Sequence, residues 1–372
     1  MKALKVALVS LIATHTRVTG HGTVRHPTPR NVVDHDDIPA QSNQTYPYRN
    51  QACPSPDGTG NTSGQLGQAC YWFSNGCSIG CPQCDGTSRG PIPTSHDPRW
   101  RRKMDTCGSG AKATLCDSSK RTVNVDAECG AGDDWYYYSP WRSPGSAGVY
   151  DSCGMAGGTP KSGAFGGNYV TTAHAKQGDL GTQVLKQGAA AATWTTGTQV
   201  EVSWTILANH GGGYQYRLCP ANETLDEACF SRMPLPFAGR QSLRWDAHAD
   251  GTGGTRVWFD GVYVSDGVIP PGAAWARNPI PRNDHKSTGT GFAPACEEAD
   301  DCDVSERVDP MRCRCSGMWG PYNLEIVDTL QLPAHLPPGD YVLGWRWDCE
   351  ESNQIWMSCS DVKVVLPRAR ER

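Results

Sequence analysis

The chain runs to 372 residues, with a formal charge of −4, 42 glycines, 27 prolines and seventeen cysteines. Its mildly acidic balance, without a basic patch to gather phosphates, excludes charge-driven binding to nucleic acid and gives no pull towards an anionic membrane. The absence of any long amphipathic helical pattern excludes a helical bundle and points to short strands joined by long loops, in one large domain or two small ones.

The chain opens MKALKVALVSLIATHTRVTG, which reads as a secretion signal over residues 1–20. Lys2 and Lys5 form a basic start, and Val6 to Ala13 is an apolar run too short to cross a bilayer. Val18, Thr19 and Gly20 place small residues where signal peptidase inspects the chain. Cleavage after Gly20 makes His21 the first of 352 mature residues and moves the formal charge to −7, because Lys2, Lys5 and Arg17 are lost. An alternative cut after Ala13 would leave that histidine internal. The expected product is secreted, away from nucleic acid and membrane, and monomeric.

Residues 21–130 are loop-rich and carry eight of the cysteines, all seventeen of which lie after the signal. In a secreted chain this is a disulfide framework. An odd count allows at most eight bridges. The Cys77-Ser78-Ile79-Gly80-Cys81-Pro82-Gln83-Cys84 run and Cys313-Arg314-Cys315 therefore read as structural disulfides rather than as a zinc or redox site. Sequons at Asn43, Asn61 and Asn222 mark possible glycan positions on the surface. The aromatic run 135–141 invites sugar stacking, although alternate residues of a strand would face the core. Asp133-Asp134 and Glu297-Glu298 are neighbouring acids that point in different directions, so they make a poor glycosidase pair.

Strand patterns gather in the second half. QVEVSWTIL over 199–207 alternates polar and apolar residues, as a half-buried strand does. TRVWFDGVYV over 255–264 reads as a hairpin about Asp260-Gly261. Residues 276–318 form a polar, cysteine-bearing insertion. DYVLGWRW over 340–347 and SDVKVVL over 360–366 are two late strands, with CEESNQIWMSC over 349–359 as the loop between them. The chain closes on a polar tail, 368–372. These patterns predict an antiparallel β-sandwich with disulfide-tied excursions.

The chemistry starts at His21. A terminal histidine offers one metal two nitrogens, the α-amine and the ring Nδ1, which together close a chelate ring. A second imidazole completes three nitrogens in a T. Planar or tetragonal nitrogen ligation suits copper, which heads the divalent affinity order. The α-amine titrates near ~8, so metal binding displaces a proton from part of the population. Secretion itself creates such a site. Among the other histidines, His210 stands out, because it ends a strong strand pattern in TILANHGGGYQYRLCP and three glycines come directly after it. Those glycines permit a tight turn and close backbone approach. Taken alone, a histidine at a strand end is more often structural or solvated.

Mature His-Gly, ANHGGGYQYRLCP, and the closing YVLGWRWDCEESNQIWMSCSDVKV resemble the lytic polysaccharide monooxygenases. The broader grouping is the chitin-binding type-4 superfamily, and the nearest branch is auxiliary activity family 15 with its relatives. ACYWFSNGCSIGCPQC resembles the amino-terminal half of such relatives. The resemblance implies an all-β, antiparallel immunoglobulin/fibronectin-III-like sandwich with long disulfide-tied loops over 21–367. It implies copper held by His21, through amine and Nδ1, and by His210 through Nε2. It places small Ala208 over the axial face and Gln354 within hydrogen-bond reach of the oxygen site. Trp356 stands where relatives have an axial tyrosine or phenylalanine, a departure. Its indole packs below the metal, relays an oxidising hole, or marks a shifted loop. Packing beside a disulfide is the plainer alternative for both Gln354 and Trp356.

The implied activity is copper-dependent oxidative cleavage of insoluble chitin or cellulose, fed by an external electron donor and O2 or H2O2. Such chemistry needs a redox metal, since acid–base groups do not break a C–H bond. Alternatives are a non-catalytic copper- or glycan-binding protein on the same scaffold, and a structural, disulfide-rich extracellular protein.

Overall fold

A computed structural model describes residues 21–33, 71–75, 144–145, 147–160, 169, 171–208, 211–245, 252–265, 268–279, 325–349 and 354–368. The expected signal over 1–20, the cysteine run 77–84, the aromatic run 135–141, Asn43, Asn61, His210 and most of the expected insertion over 276–318 lie outside these residues. Asn222 is exposed, as a glycan site requires.

Two sheets face each other. The first is antiparallel throughout, in the order β1 (His21–His26), β5 (Gln199–Ala208), β11 (Glu325–Gln331), β7 (Gln241–Trp245) and β8 (Thr255–Phe259). The second runs β3 (Met155–Ala156), β2 (Trp72–Asn75), β13 (Gln354–Val365), β12 (Gly339–Asp348), β6 (Gly213–Pro220), β10 (Trp275–Arg277) and β9 (Tyr263–Val264). β4 (Ala192–Thr195) adds to the far end of β13 in parallel. The described residues include a 3-10 turn at Arg30–Val32 and two short helices, α1 (Gly181–Val184) and α2 (Glu227–Ser231). The expected all-β sandwich is the observed architecture.

Period-two patterning explains the packing. On β5, Val202, Trp204 and Ile206 enter the core between the sheets. On β6 the inward set is Tyr214, Tyr216 and Leu218, and on β12 it is Tyr341, Leu343, Trp345 and Trp347. Tryptophan dominates: Trp204 lies 5.0 Å from Trp345 and 5.2 Å from Trp347, centroid to centroid. Tilted contacts of this kind add to what burial of large rings contributes.

The outer face of the second sheet is buried too. Val342 packs with Phe230 of α2 and the half-cystines Cys153, Cys219, Cys229 and Cys359. Disulfides Cys153–Cys359 and Cys219–Cys229 clamp this layer. A Cβ on Gly344 would fall 2.7 Å from the Phe230 ring, so only glycine lets α2 lie this close.

Two sequence expectations need correction. Residues 255–264 are not a hairpin, because β8 pairs with β7 in one sheet and β9 pairs with β10 in the other. The Asp260-Gly261 link crosses between sheets. A Cβ on Gly261 would sit 2.3 Å from Gln241 Oε1, so a larger residue there would have to displace the Gln241 amide. Residues 349–359 are not all loop either. β13 starts at Gln354, and Ile355, Trp356, Met357 and Cys359 are all buried. A strand covered on both faces shows no alternation, and that hid it.

Candidate functional site

His21 opens β1 and pairs with Ala208, the last residue of β5. The next pair is Gly22 with Ile206, so Leu207 is an extra residue, a β-bulge beside His21. Bulges re-aim the neighbouring side chains and recur next to active sites. Asn209 and His210 lie outside the described residues, as does the side chain of His21. Gly211 and Gly212 then take φ values of 65° and 81°, the left-handed region, and feed β6. This is backbone that the glycines after His210 permit.

Trp347, near the end of β12, lies beneath both segments. A Cβ on Gly22 would come 3.0 Å from Trp347 Cζ3 and 3.2 Å from Cε3. The Trp347 indole Nε1–H donates to the carbonyl of Gly211 at 2.7 Å. The ring is fully buried, with Trp356 at 6.4 Å on its other side. Trp356 in turn stacks on Phe73 of β2, 4.2 Å away at 26°. It is a core side chain on a strand, pairing with Trp347 on β12 and Phe73 on β2. Gln354 is buried at the first position of β13, and its carbonyl accepts from Cys349 N at 3.1 Å. The structure therefore gathers the starts of β1, β6 and β13 with the ends of β5 and β12 at one end of the sandwich.

An amino-terminal strand frays unless it is tied down. Here Thr23 Oγ1 lies 2.8 Å from Ser358 Oγ on β13, and Asn31 Nδ2 donates to Thr23 Oγ1 at 3.1 Å. Ser358 Oγ also accepts from Val24 N at 3.3 Å, and Ser360 Oγ donates to the Pro27 carbonyl at 2.8 Å. Arg30 grips Asp361 in a fork, with Nε at 3.0 Å from Oδ2 and Nη2 at 2.6 Å from Oδ1. β1 is thus stitched to the second sheet directly behind His21.

Below the site, β12 carries a buried charge network on its outer face. Arg346 donates to Asp348 at 2.7 and 3.1 Å, to Glu227 at 2.8 Å and to the Ala147 carbonyl at 2.8 Å. Asp348 also accepts from Gly145 N at 2.8 Å. Arg217 forks onto Glu227 at 2.7 and 3.0 Å. Burial raises the Glu227 pKa, but the Arg217 and Arg346 guanidiniums outweigh it and hold the carboxyl at about 2. The first sheet has its own ladder, Arg25–Glu325–Arg244–Glu201–Arg256, with N···O distances of 2.5 to 2.7 Å.

Among the described residues, no three His, Cys, Asp or Glu side chains converge as a metal cluster. Three residues escaped the sequence reading: Trp347, Thr23 and Ser358. Trp347 shares the inward parity of Trp345 in W-R-W, which marks it as core but not as a neighbour of both His-Gly pairs.

No family model matches the chain. Several solved structures resemble it distantly. One is a lytic polysaccharide monooxygenase of auxiliary activity family 15 from Thermobia domestica in the Cu(I) state, at 16% identity over 49% of this chain and 66% of that one, with a TM-score of 0.24. Another is the cellulose-active lytic polysaccharide monooxygenase CelS2 in complex with copper, at 14% identity over 92% and 98%, with a TM-score of 0.27. A third is a chitin-binding domain from Burkholderia pseudomallei, at 13% identity over 93% and 100%, with a TM-score of 0.34. At such scores the likeness is remote, and no residue role is carried over from any of them.

Proposed function

We propose that the chain is a secreted copper-dependent monooxygenase that cleaves the glycosidic bonds of chitin or cellulose oxidatively. The observation that carries this reading is the pairing of His21 with Ala208, two residues before His210. Cross-strand partners lie about 4.5–5.5 Å apart at Cα. The segment bearing His210 therefore leaves its strand beside the first mature residue. With His210 at this end of β5, an α-amine and two imidazoles would be available together, the donor set that copper favours.

His21 and His210 hold the ion, and the bound metal supplies the one-electron chemistry that protein side chains lack. Ala208 keeps the approach beside it small. Gln354, at the head of β13, orients the oxygen co-substrate by hydrogen bonding. Trp356 supports the floor from within the core. With an external reductant and O2, one oxygen atom enters the C–H bond beside the glycosidic link and the other leaves as water; with H2O2 the same insertion needs no further electrons. A metal held by His21 and His210 at this end of the sandwich would be able to meet an insoluble polymer that fits no cleft.

One observation favours a second reading. Trp356 replaces the axial tyrosine or phenylalanine of the resembling family and is locked against Phe73. A copper- or glycan-binding protein without turnover is consistent with that floor. Mass spectrometry of chitin and cellulose digests separates the two. Oxidised oligosaccharides that require copper and reductant, and vanish in His210→Ala, are the expected result. Copper binding without products favours the binder, and an amino terminus other than His21 overturns copper binding in both readings.

A further inference from the structure

We infer that Trp347 is the positioning residue that sets the spacing between the two histidine-bearing backbones; this rests on the function proposed above. Each candidate ligand has a glycine directly after it, His21-Gly22 and His210-Gly211. Trp347 touches both glycines by different parts of one ring system. Its six-membered edge lies against Gly22, where an added Cβ would meet Cζ3 at 3.0 Å. Its pyrrole N–H holds the Gly211 carbonyl at 2.7 Å in a buried bond. A planar, rigid side chain thus spans Gly22 and Gly211, the residues directly after the two candidate ligands.

The ring is itself fixed. It is fully buried, with Trp204 at 5.2 Å, Trp345 at 6.3 Å and Trp356 at 6.4 Å. Its backbone pairs with Tyr214 on β6 and Trp356 on β13. Any tilt of the indole must move Gly22, Gly211 or both. Groups that orient ligands from behind matter to a metal almost as much as the ligands. Phenylalanine has no N–H and lacks the far edge of the indole, so it removes the bond to the Gly211 carbonyl and draws back from Gly22.

The test compares wild type, Trp347→Phe and Trp345→Phe as secreted proteins with verified amino termini. Trp345 is the control, since it is equally buried and its ring also packs on Trp204. Copper titration, the copper EPR spectrum and amide exchange of the metal-free protein are the readouts. Trp347→Phe is expected to weaken copper about 10–100-fold, to alter the hyperfine pattern and to speed exchange around Gly211–Gly213. Trp345→Phe is expected to lower the melting temperature while keeping the wild-type spectrum. If Trp347→Phe does not fold, Gly22→Ala presses a methyl onto the same ring and takes its place with the same expected changes. Wild-type affinity and spectrum in Trp347→Phe, or equal disturbance in Trp345→Phe, overturn this inference alone. A wild type that binds no copper through nitrogen overturns the functional proposal and the inference together.

Discussion

The two faces of β6 each serve one carboxylate, and the two titrate in opposite directions. On the inward face, Tyr214 and Tyr216 donate to Asp328 of β11 at 3.1 and 3.2 Å, and Gln241 Nε2 donates at 2.5 Å. On the outward face, Arg217 forks onto Glu227, with Arg346 beside it. Burial lifts the Asp328 pKa to about 7, and the hydroxyl and amide donors do not cancel it. Burial pushes Glu227 the same way, yet two guanidiniums hold it at about 2. Glu227 also keeps 30% of its side chain exposed, which lessens its desolvation. Neutral donors satisfy geometry, whereas full charges are needed to reverse desolvation. β6 begins at Gly213, directly after the Gly211-Gly212 turn, so the strand leading out of the candidate site is gripped from both sides.

Removing a guanidinium should break the contrast most. Arg346→Met leaves Asp348 with the Gly145 N–H and Glu227 with Arg217 alone. A loss of about 3–5 kcal/mol in urea-unfolding stability is expected. Asp328→Asn sharpens it. Because the folded pKa of Asp328 lies above its ordinary value of 3.8, the native state holds a proton that the unfolded chain has released. Its contribution is full below about pH 4 and is lost at up to about 1.4 kcal/mol per pH unit until pH passes about 7. The variant should lack that decline, so its stability relative to wild type should rise between pH 5 and pH 8; parallel pH profiles would refute the assignment. The smallest effect belongs to the exposed pair Arg240–Asp260, 3.1 Å apart. Arg240→Ala should shift stability by no more than about 0.5 kcal/mol, and a shift as large as that of Arg346→Met would show that burial is not what separates these groups.

Patterns that depend on one strand alone are legible in the sequence. β5 follows from strict alternation, because one of its faces lies in the core; DYVLGWRW reads as a strand although both faces of β12 are buried. The first half of β13 escapes because Ile355 and Met357 are covered as fully as Trp356. The 255–264 hairpin fails for another reason: Asp-Gly marks a reversal of direction, but Gln241 and Trp275, far along the chain, decide which neighbours the two arms take. At the candidate site, His21 is conspicuous by its place behind a stretch that reads as a signal, and its pairing with Ala208 is not, since register across so long a separation is written in no local motif. Trp347 looks like any other inward tryptophan until both glycines are seen against it.

Leu207 carries one more implication. The pleat reverses facing at every residue, so a single insertion in a ladder turns everything beyond it over relative to its neighbour. Without Leu207, the regular pairing of Gly22 with Ile206 would continue directly to His21 and Ala208. An irregularity one residue wide is therefore what decides on which side of the sheet the outgoing chain presents itself.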